Sequence, residues 1–157
     1  MNARVFRRGA DCFVSWCALA CVAGCGGPYD STASGVVTLD NITVPRGTVA
    51  FHPVAGGPPA YAPIESNGLY EVRTGREEGL PSGEYQVTVV ANEPPAMQQT
   101  AQGGPPPPGK PITPPWYRSK DASGLRFTVE PGDNELDIEL SSQPPPEWNA
   151  AGRRSGV

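Results

Sequence analysis

The chain has 157 residues, of which 20 are Pro and 19 are Gly, about twice the usual share of these two residues. This composition argues against a helical protein and favours strands, turns and loose segments, and the length allows one domain. The formal net charge is −4, which gives no attraction to phosphate backbones and argues against nucleic-acid binding.

The first 24 residues have the three-part layout of a secretory signal peptide. Three arginines within the first eight residues form a positive start, and Cys12–Ala23 is an apolar run, too short to cross a bilayer as a helix. The run ends in Val22-Ala23-Gly24-Cys25, which resembles a bacterial lipobox. The alternatives are an ordinary signal peptide cut near the same place, a twin-arginine signal at Arg7-Arg8, or a buried apolar strand.

All four cysteines, Cys12, Cys17, Cys21 and Cys25, lie in this segment. The lipobox resemblance implies that Cys25 carries diacylglycerol and palmitate, so no disulfide, thiolate metal site or cofactor is expected. Removal of residues 1–24 leaves 9 basic and 15 acidic residues, a net charge of −6. Acyl chains must then hold the protein on the bilayer. Gly26 is not the Asp that retains enterobacterial lipoproteins at the inner membrane, so we expect a cell-envelope lipoprotein of the outer membrane.

The first half of the mature chain alternates apolar and polar residues in short segments. After a lipidated tether at 25–34, this pattern predicts strands at Gly35–Leu39, Thr48–Pro53 and Tyr61–Glu65, with Pro63 favouring an edge strand. A polar turn is expected at Asp40-Asn41. The conformation of Ile42–Arg46 stays open.

The segment Gly68–Val90 has the clearest strand pattern in the chain. Asn67-Gly68 is a hairpin signal, and the segment reads as two strands joined by a polar loop and a Leu-Pro-Ser-Gly turn. Glu84, Gln86 and Thr88 are expected to face water.

Prolines dominate residues 92–115, which predicts a long loop of polyproline-II type or without order. Two more strands follow, separated by a Pro-Gly turn at 131–132, and they end the domain 35–140. The Pro-rich tail 141–157 is expected to be disordered.

About seven short strands at this spacing predict an all-β, seven-stranded antiparallel sandwich with one modest hydrophobic core. The inward positions of the alternating segments form the predicted core. They are Val37, Leu39, Val49, Phe51, Tyr70, Val72, Tyr85, Val87, Val89, Leu125, Phe127, Val129, Leu136, Ile138 and Leu140.

Five segments together resemble the carboxypeptidase regulatory-like, or transthyretin-like, domain of small planctomycete-type lipoproteins. The segments are Gly35-Val-Val-Thr-Leu-Asp, Val49-Ala-Phe-His-Pro, Asn67-Gly-Leu-Tyr-Glu-Val, Gly79-Leu-Pro-Ser-Gly-Glu-Tyr-Gln-Val-Thr-Val and Ser123-Gly-Leu-Arg-Phe-Thr-Val-Glu-Pro-Gly-Asp-Asn-Glu-Leu-Asp-Ile-Glu-Leu. The resemblance implies a prealbumin-like (Ig-like) sandwich in the cell envelope. It implies no defined activity, because fold does not determine function.

Candidate catalytic and metal-binding residues are few. His52 is the single histidine, and it is expected on a solvated face beside a proline. Tyr117-Arg118-Ser119 is similar to the C-terminal motif of hydroxyisourate hydrolases, but that motif needs the chain end and two histidines. The acidic residues between Asp133 and Glu139 could hold Ca²⁺, although a solvated outer face has the same pattern.

Trp116 and Tyr117 are the candidate ligand contacts, because exposed aromatic rings stack on sugars and peptides; the alternative is a lid on the core. The run Pro105–Pro115 is either a ligand for an aromatic groove or a spacer. Two functions remain: a non-enzymatic envelope lipoprotein with an interaction or structural module, and an envelope carbohydrate-binding module. The expected partners are the lipid bilayer, envelope proteins and polysaccharide.

Overall fold

The structure, a computed structural model, describes residues 28–95, 106–146 and 148. The signal segment, Cys25 and most of the tail lie outside these residues. The described part is all-β, as predicted, with one 3₁₀ helix at Pro115–Arg118. Its strands are β1 Ser31–Leu39, β2 Ile42–Thr43, β3 Gly47–Pro53, β4 Ala60–Ile64, β5 Leu69–Glu71, β6 Arg73–Thr74, β7 Glu77–Glu78, β8 Gly83–Val90, β9 Arg126–Val129, β10 Gly132–Glu135 and β11 Ile138–Leu140. Within these ranges no helix is long and apolar enough to span a membrane.

The strands form one curled sheet in the order β10-β1-β5-β4-β3-β8-β9. Neighbouring strands are antiparallel, as predicted, except that β1 pairs in parallel with both β10 and β11. The two strands at opposite ends of this order, β9 and β10, are separated by only two residues in the chain. The sheet therefore curls back toward its own starting edge.

Two turns have the backbone that their sequences predict. Asp40 and Asn41 both have positive φ, of 50° and 65°, the conformation of the two-residue turns that join twisted strands. Gly68 follows Asn67 with a φ of 82°. These turns connect β1 to β2 and lead into β5, so local sequence chemistry determines both reversals.

The prediction that Pro63 marks an edge strand is wrong. Its strand, β4, lies between β5 and β3. On the β5 side the ladder pairs Ile64 with Tyr70 and Tyr61 with Arg73 and skips Pro63. Because Pro63 is not paired on that side, its missing N–H costs the ladder no hydrogen bond there.

Every residue of the predicted core is buried or packs against the buried cluster. Phe51 lies at its centre, fully buried, with the rings of Tyr70, Tyr85 and Phe127 at centroid distances of 6.1, 5.9 and 6.4 Å. The Tyr70 hydroxyl donates a hydrogen bond to the Leu136 carbonyl, and burial raises the pKa of this hydroxyl far above its usual value. The predicted alternation thus selects the correct face of each main strand.

The sequence prediction misses several buried residues outside the main alternation. Thr88 was expected to face water, yet it is only 7% exposed. Val44, for which the sequence predicts no definite conformation, is buried. Leu80 in the Leu-Pro-Ser-Gly turn is also buried. Turn and linker residues therefore complete a core that the strands alone do not close.

The long strands give the domain two ends. The N-terminal end contains the start of β1, where Ser31 pairs with Gly132, and the end of β3, where Pro53 pairs with Tyr85. The far end contains the Asp40-Asn41 turn and the end of β8. There the Asp40 N–H donates to the Leu140 carbonyl at 2.9 Å.

Candidate functional site

The folded domain begins at Asp30 and Ser31, which lock the chain onto the Leu-Pro-Ser-Gly turn. The Asp30 carboxylate accepts hydrogen bonds from the Ser82 N–H at 2.9 Å and the Ser82 hydroxyl at 2.7 Å. The Ser31 hydroxyl donates to the Leu80 carbonyl at 2.6 Å, and the Leu80 N–H donates back to the Ser31 carbonyl at 3.0 Å. Strand β1 thus begins four residues before the predicted strand, inside the segment that was assigned to the tether.

The hydrogen bonds from Ser82 hold the pKa of the Asp30 carboxyl below its usual value. A lowered pKa in the folded state contributes stability above the unfolded-state pKa, and this contribution disappears as the pH falls through the folded-state pKa. We expect Asp30→Asn to unfold at lower urea concentration than the native protein at neutral pH. The difference should shrink as the pH falls below the unfolded-state pKa of about 4.

Urea unfolding at several pH values, followed by tryptophan fluorescence, measures this effect. Asp121→Asn is the control, because Asp121 is exposed on a loop, and it should leave the urea midpoint unchanged throughout. A difference between Asp30→Asn and the native protein that does not vary with pH would contradict the carboxylate lock.

A surface cavity of about 150 Å³ opens at the N-terminal end, beside this lock. Tyr29 and Tyr85 line it, together with three prolines and the Ala55–Gly57 segment. The Tyr85 hydroxyl donates to the Pro81 carbonyl at 2.7 Å, and burial raises the pKa of this hydroxyl. The cavity is therefore mainly apolar; its lining includes Glu84 and Ser82, the residue that binds the Asp30 carboxylate.

The Pro-rich loop has a fixed base at the far end. The Glu93 N–H donates to the Lys110 carbonyl at 2.8 Å, and the Ile112 N–H donates to the Ala91 carbonyl at 2.9 Å. The hydroxyl of the buried Thr113 accepts a hydrogen bond from the Ala91 N–H at 3.0 Å. The ends of the predicted loop 92–115 are thus part of the folded domain, and residues 96–105 lie outside the described part.

The two candidate ligand contacts, Trp116 and Tyr117, lie in the 3₁₀ helix after this loop and are only 7% and 8% exposed. Trp148 packs edge-on against Trp116 at a centroid distance of 5.7 Å. The Tyr117 hydroxyl accepts a hydrogen bond from the Ser141 N–H at 2.9 Å. Both rings have the position of a lid on the core, and a ligand could contact them only after this cover moves.

Comparisons with protein-family models, with curated proteins and with solved structures find no match to this chain. The family resemblance of its sequence stays a prediction.

His52 lies on β3 and is partly buried, with its Nε2 atom 3.2 Å from the Thr88 hydroxyl. Burial lowers the pKa of the imidazole, and the positive charge of Lys120 lowers it further. His52 therefore contacts the neighbouring strand β8 on the surface of the sheet. The Arg118 guanidinium, from the tripeptide similar to a hydrolase motif, donates to the Asn92 side chain at 3.1 Å.

The acidic residues of β10 and of the turn after it form hydrogen bonds with β1. Asp133 accepts a hydrogen bond from the Thr32 hydroxyl at 2.7 Å, and Asp137 accepts one from the Val36 N–H at 2.9 Å. The Asn134 amide donates to the Thr32 carbonyl at 2.9 Å. In the described ranges no three His, Cys, Asp or Glu side chains lie close enough to hold a metal ion.

The predicted lipidation residue, Cys25, lies outside the described residues. The sequence analysis did not single out Tyr29, Asp30 or the loop after β3 as candidate functional residues. One signal could have found this loop, because residues 53–64 contain no charged side chain in a chain with 28 charged residues.

Proposed function

We propose that this protein is a non-enzymatic lipoprotein of the cell envelope, anchored in the outer membrane by acyl chains on Cys25. The observation that supports the proposal is the position of the lock described above. Asp30, the first residue tied to the domain, follows Cys25 by only five residues. The short distance in sequence between the lipobox and the folded domain supports the proposal, because a short tether would hold the domain beside the membrane.

We further propose that the curled sheet is a prealbumin-like sandwich of the transthyretin-like type. Seven strands in the order β10-β1-β5-β4-β3-β8-β9 form its continuous path. The aromatic cluster around Phe51 joins β3, β5, β8 and β9 across the interior. Two facing layers would share such a core between separate parts of one sheet, and the cluster supports the proposal in this way.

The domain serves as an interaction or structural module. Its Pro-rich loop rises from a hydrogen-bonded base at the far end, and Pro106, Pro107 and Pro108 are exposed. An exposed polyproline segment on a fixed base can dock on an aromatic groove with little loss of entropy, so envelope proteins are the expected partners. Polysaccharide is the alternative partner, and it would require Trp116 and Tyr117 to be uncovered.

Acylation of Cys25 is the step that tests the proposal. Cys25→Ser should abolish labelling by a palmitate analogue and move the whole protein from the carbonate-washed membrane fraction to the soluble fraction. The physical reason is that the net negative mature chain has no electrostatic attraction to anionic lipid and depends on its acyl chains for durable attachment.

Cys21→Ser is the matched control, because it removes a thiol four residues away in the same segment. This variant should be labelled and retained like the native protein. Continued membrane retention of Cys25→Ser after the carbonate wash would place the anchor elsewhere and contradict the proposal.

A further inference from the structure

We infer that the N-terminal end of the domain is a membrane-docking surface that rests on the bilayer interface. This surface consists of Tyr29 and the loop Pro53–Pro59, and the far end with the base of the Pro-rich loop points away from the lipid. The inference rests on the proposed acylation of Cys25, and it adds the orientation of the domain and the lipid as the partner of the cavity described above.

The length of the tether limits the distance between this surface and the bilayer. Tyr29 follows Cys25 by four residues, and four residues span at most about 14 Å when fully extended. Tyr29 itself lines the cavity. An acylated Cys25 at the lipid surface therefore holds the cavity close to the headgroup region in every conformation of the tether.

The chemistry of the surface suits the interface. The loop Pro53–Pro59 has no charged side chain. Val54 directly follows β3, where its N–H donates to the Glu84 carbonyl, and its side chain is 49% exposed. Tyr29, which is half-buried, offers a ring with a polar hydroxyl, the side-chain type that is enriched where lipid meets water. Glu84 in the cavity lining and the exposed Asp30, which binds Ser82 beside it, favour a zwitterionic bilayer over an anionic one, because like charges repel.

The opposite end is too far from the lipid to take part. Strand β1 has nine residues, which corresponds to about 26 Å or more between its two ends. Ile42 follows the turn at the end of β1, pairs with Leu39 and is 73% exposed. It is an exposed aliphatic residue like Val54, and it therefore serves as the matched control.

The test uses the lipidated full-length protein in vesicles of phosphatidylcholine and phosphatidylethanolamine that contain a spin-labelled lipid quencher. Val54→Cys and Ile42→Cys are labelled with the same environment-sensitive fluorophore. The thiol of acylated Cys25 is blocked, so the label reaches the new cysteine alone. We expect several-fold stronger quenching at position 54 than at position 42, and weaker quenching at position 54 when phosphatidylglycerol replaces phosphatidylethanolamine.

A second variant separates docking from mere proximity. A label at Ala55, which is also exposed, should be quenched less in the presence of Val54→Asp, because a charge in the loop disfavours entry into the interface. Unchanged quenching in this variant would show that the loop does not enter the lipid.

The outcomes distinguish this inference from the proposed function. Equal quenching at positions 54 and 42 in an acylated, vesicle-bound protein would overturn the docking surface and leave the lipoprotein proposal intact. Stronger quenching at position 42 would overturn the orientation and place the far end on the lipid. If Cys25 is not acylated, the Cys25→Ser experiment will show it, and both the proposed function and the docking surface will be overturned.

Discussion

Phe51→Ala should destabilise the domain by about 3–5 kcal/mol, the usual cost of truncating a buried aromatic residue. Phe51 is fully buried, and its ring contacts the cluster formed by Tyr70, Tyr85 and Phe127. Alanine would leave a cavity among strands that form the interior of the sheet, and the aromatic pairs would lose about 0.5–1.5 kcal/mol each beyond the area term. A domain of this size has only about 5–15 kcal/mol in total.

Urea unfolding of the unlipidated Cys25→Ser protein measures this loss. Phe51→Leu keeps most of the volume and should cost clearly less than Phe51→Ala. Val54→Ala removes an exposed aliphatic side chain three residues after Phe51 and should change stability by less than about 0.5 kcal/mol. Equal stability of Phe51→Ala and Val54→Ala would mean that the described aromatic core does not form.

Gly79→Ala should destabilise the domain by about 3 kcal/mol, because two separate costs add. Gly79 has a φ of +88°, and a Cβ at this position would lie 2.3 Å from the Ser31 carbonyl oxygen. The positive φ alone costs about 1–2 kcal/mol for a residue with a Cβ. The overlap with backbone forces β1 away from the turn, which costs about 1–3 kcal/mol more and breaks the hydrogen bond between Leu80 and Ser31.

Gly75→Ala separates the two costs. Gly75 has a similar φ of +67°, but a Cβ there would meet no atom within 4 Å. We expect Gly75→Ala to cost about 1–2 kcal/mol, and Gly79→Ala to cost clearly more in the same urea experiment. Equal losses in the two variants would show that the close approach of β1 to the turn is absent in solution.

The core could be predicted from sequence because alternation is a local property. Val87 and Val89 share a face of β8 whatever strand lies beside them, since successive side chains of a strand point to opposite faces. The same rule placed Leu125, Phe127 and Val129 on one face of β9. It failed at Thr88, because the burial of an outward residue depends on what covers the outer face of the sheet.

The pairing partners could not be predicted by the same reasoning. The parallel pairing of β1 with β10 and β11 joins residues about a hundred positions apart, for example Thr32 and Asp133. A proline such as Pro63 favours an edge strand, yet β4 lies inside the sheet. The proline is accommodated there because the ladder on one side skips it. Both features depend on neighbours that alternation does not specify.

The candidate site divides in the same way. The tether and Cys25 were predicted from a contiguous motif, and the uncharged loop Pro53–Pro59 is visible in the sequence as well. Their positions relative to each other in space are not visible in the sequence. Tyr29, Pro53 and Tyr85 line one cavity because β1, β3 and β8 have their ends at the same side of the sheet.

The sequence by itself determined the all-β class, the inward face of each main strand, the turns at Asp40-Asn41 and Asn67-Gly68, and the prediction of lipidation at Cys25. Each depends on residues within a few positions of one another, where backbone sterics and side-chain periodicity act directly. Only the tertiary structure decided that β1 lies parallel to the last strands, that Trp116 and Tyr117 are covered, and that Tyr29 lines a cavity with an uncharged loop. These features depend on contacts between residues far apart in the chain, and such contacts form only when the whole sheet closes around Phe51.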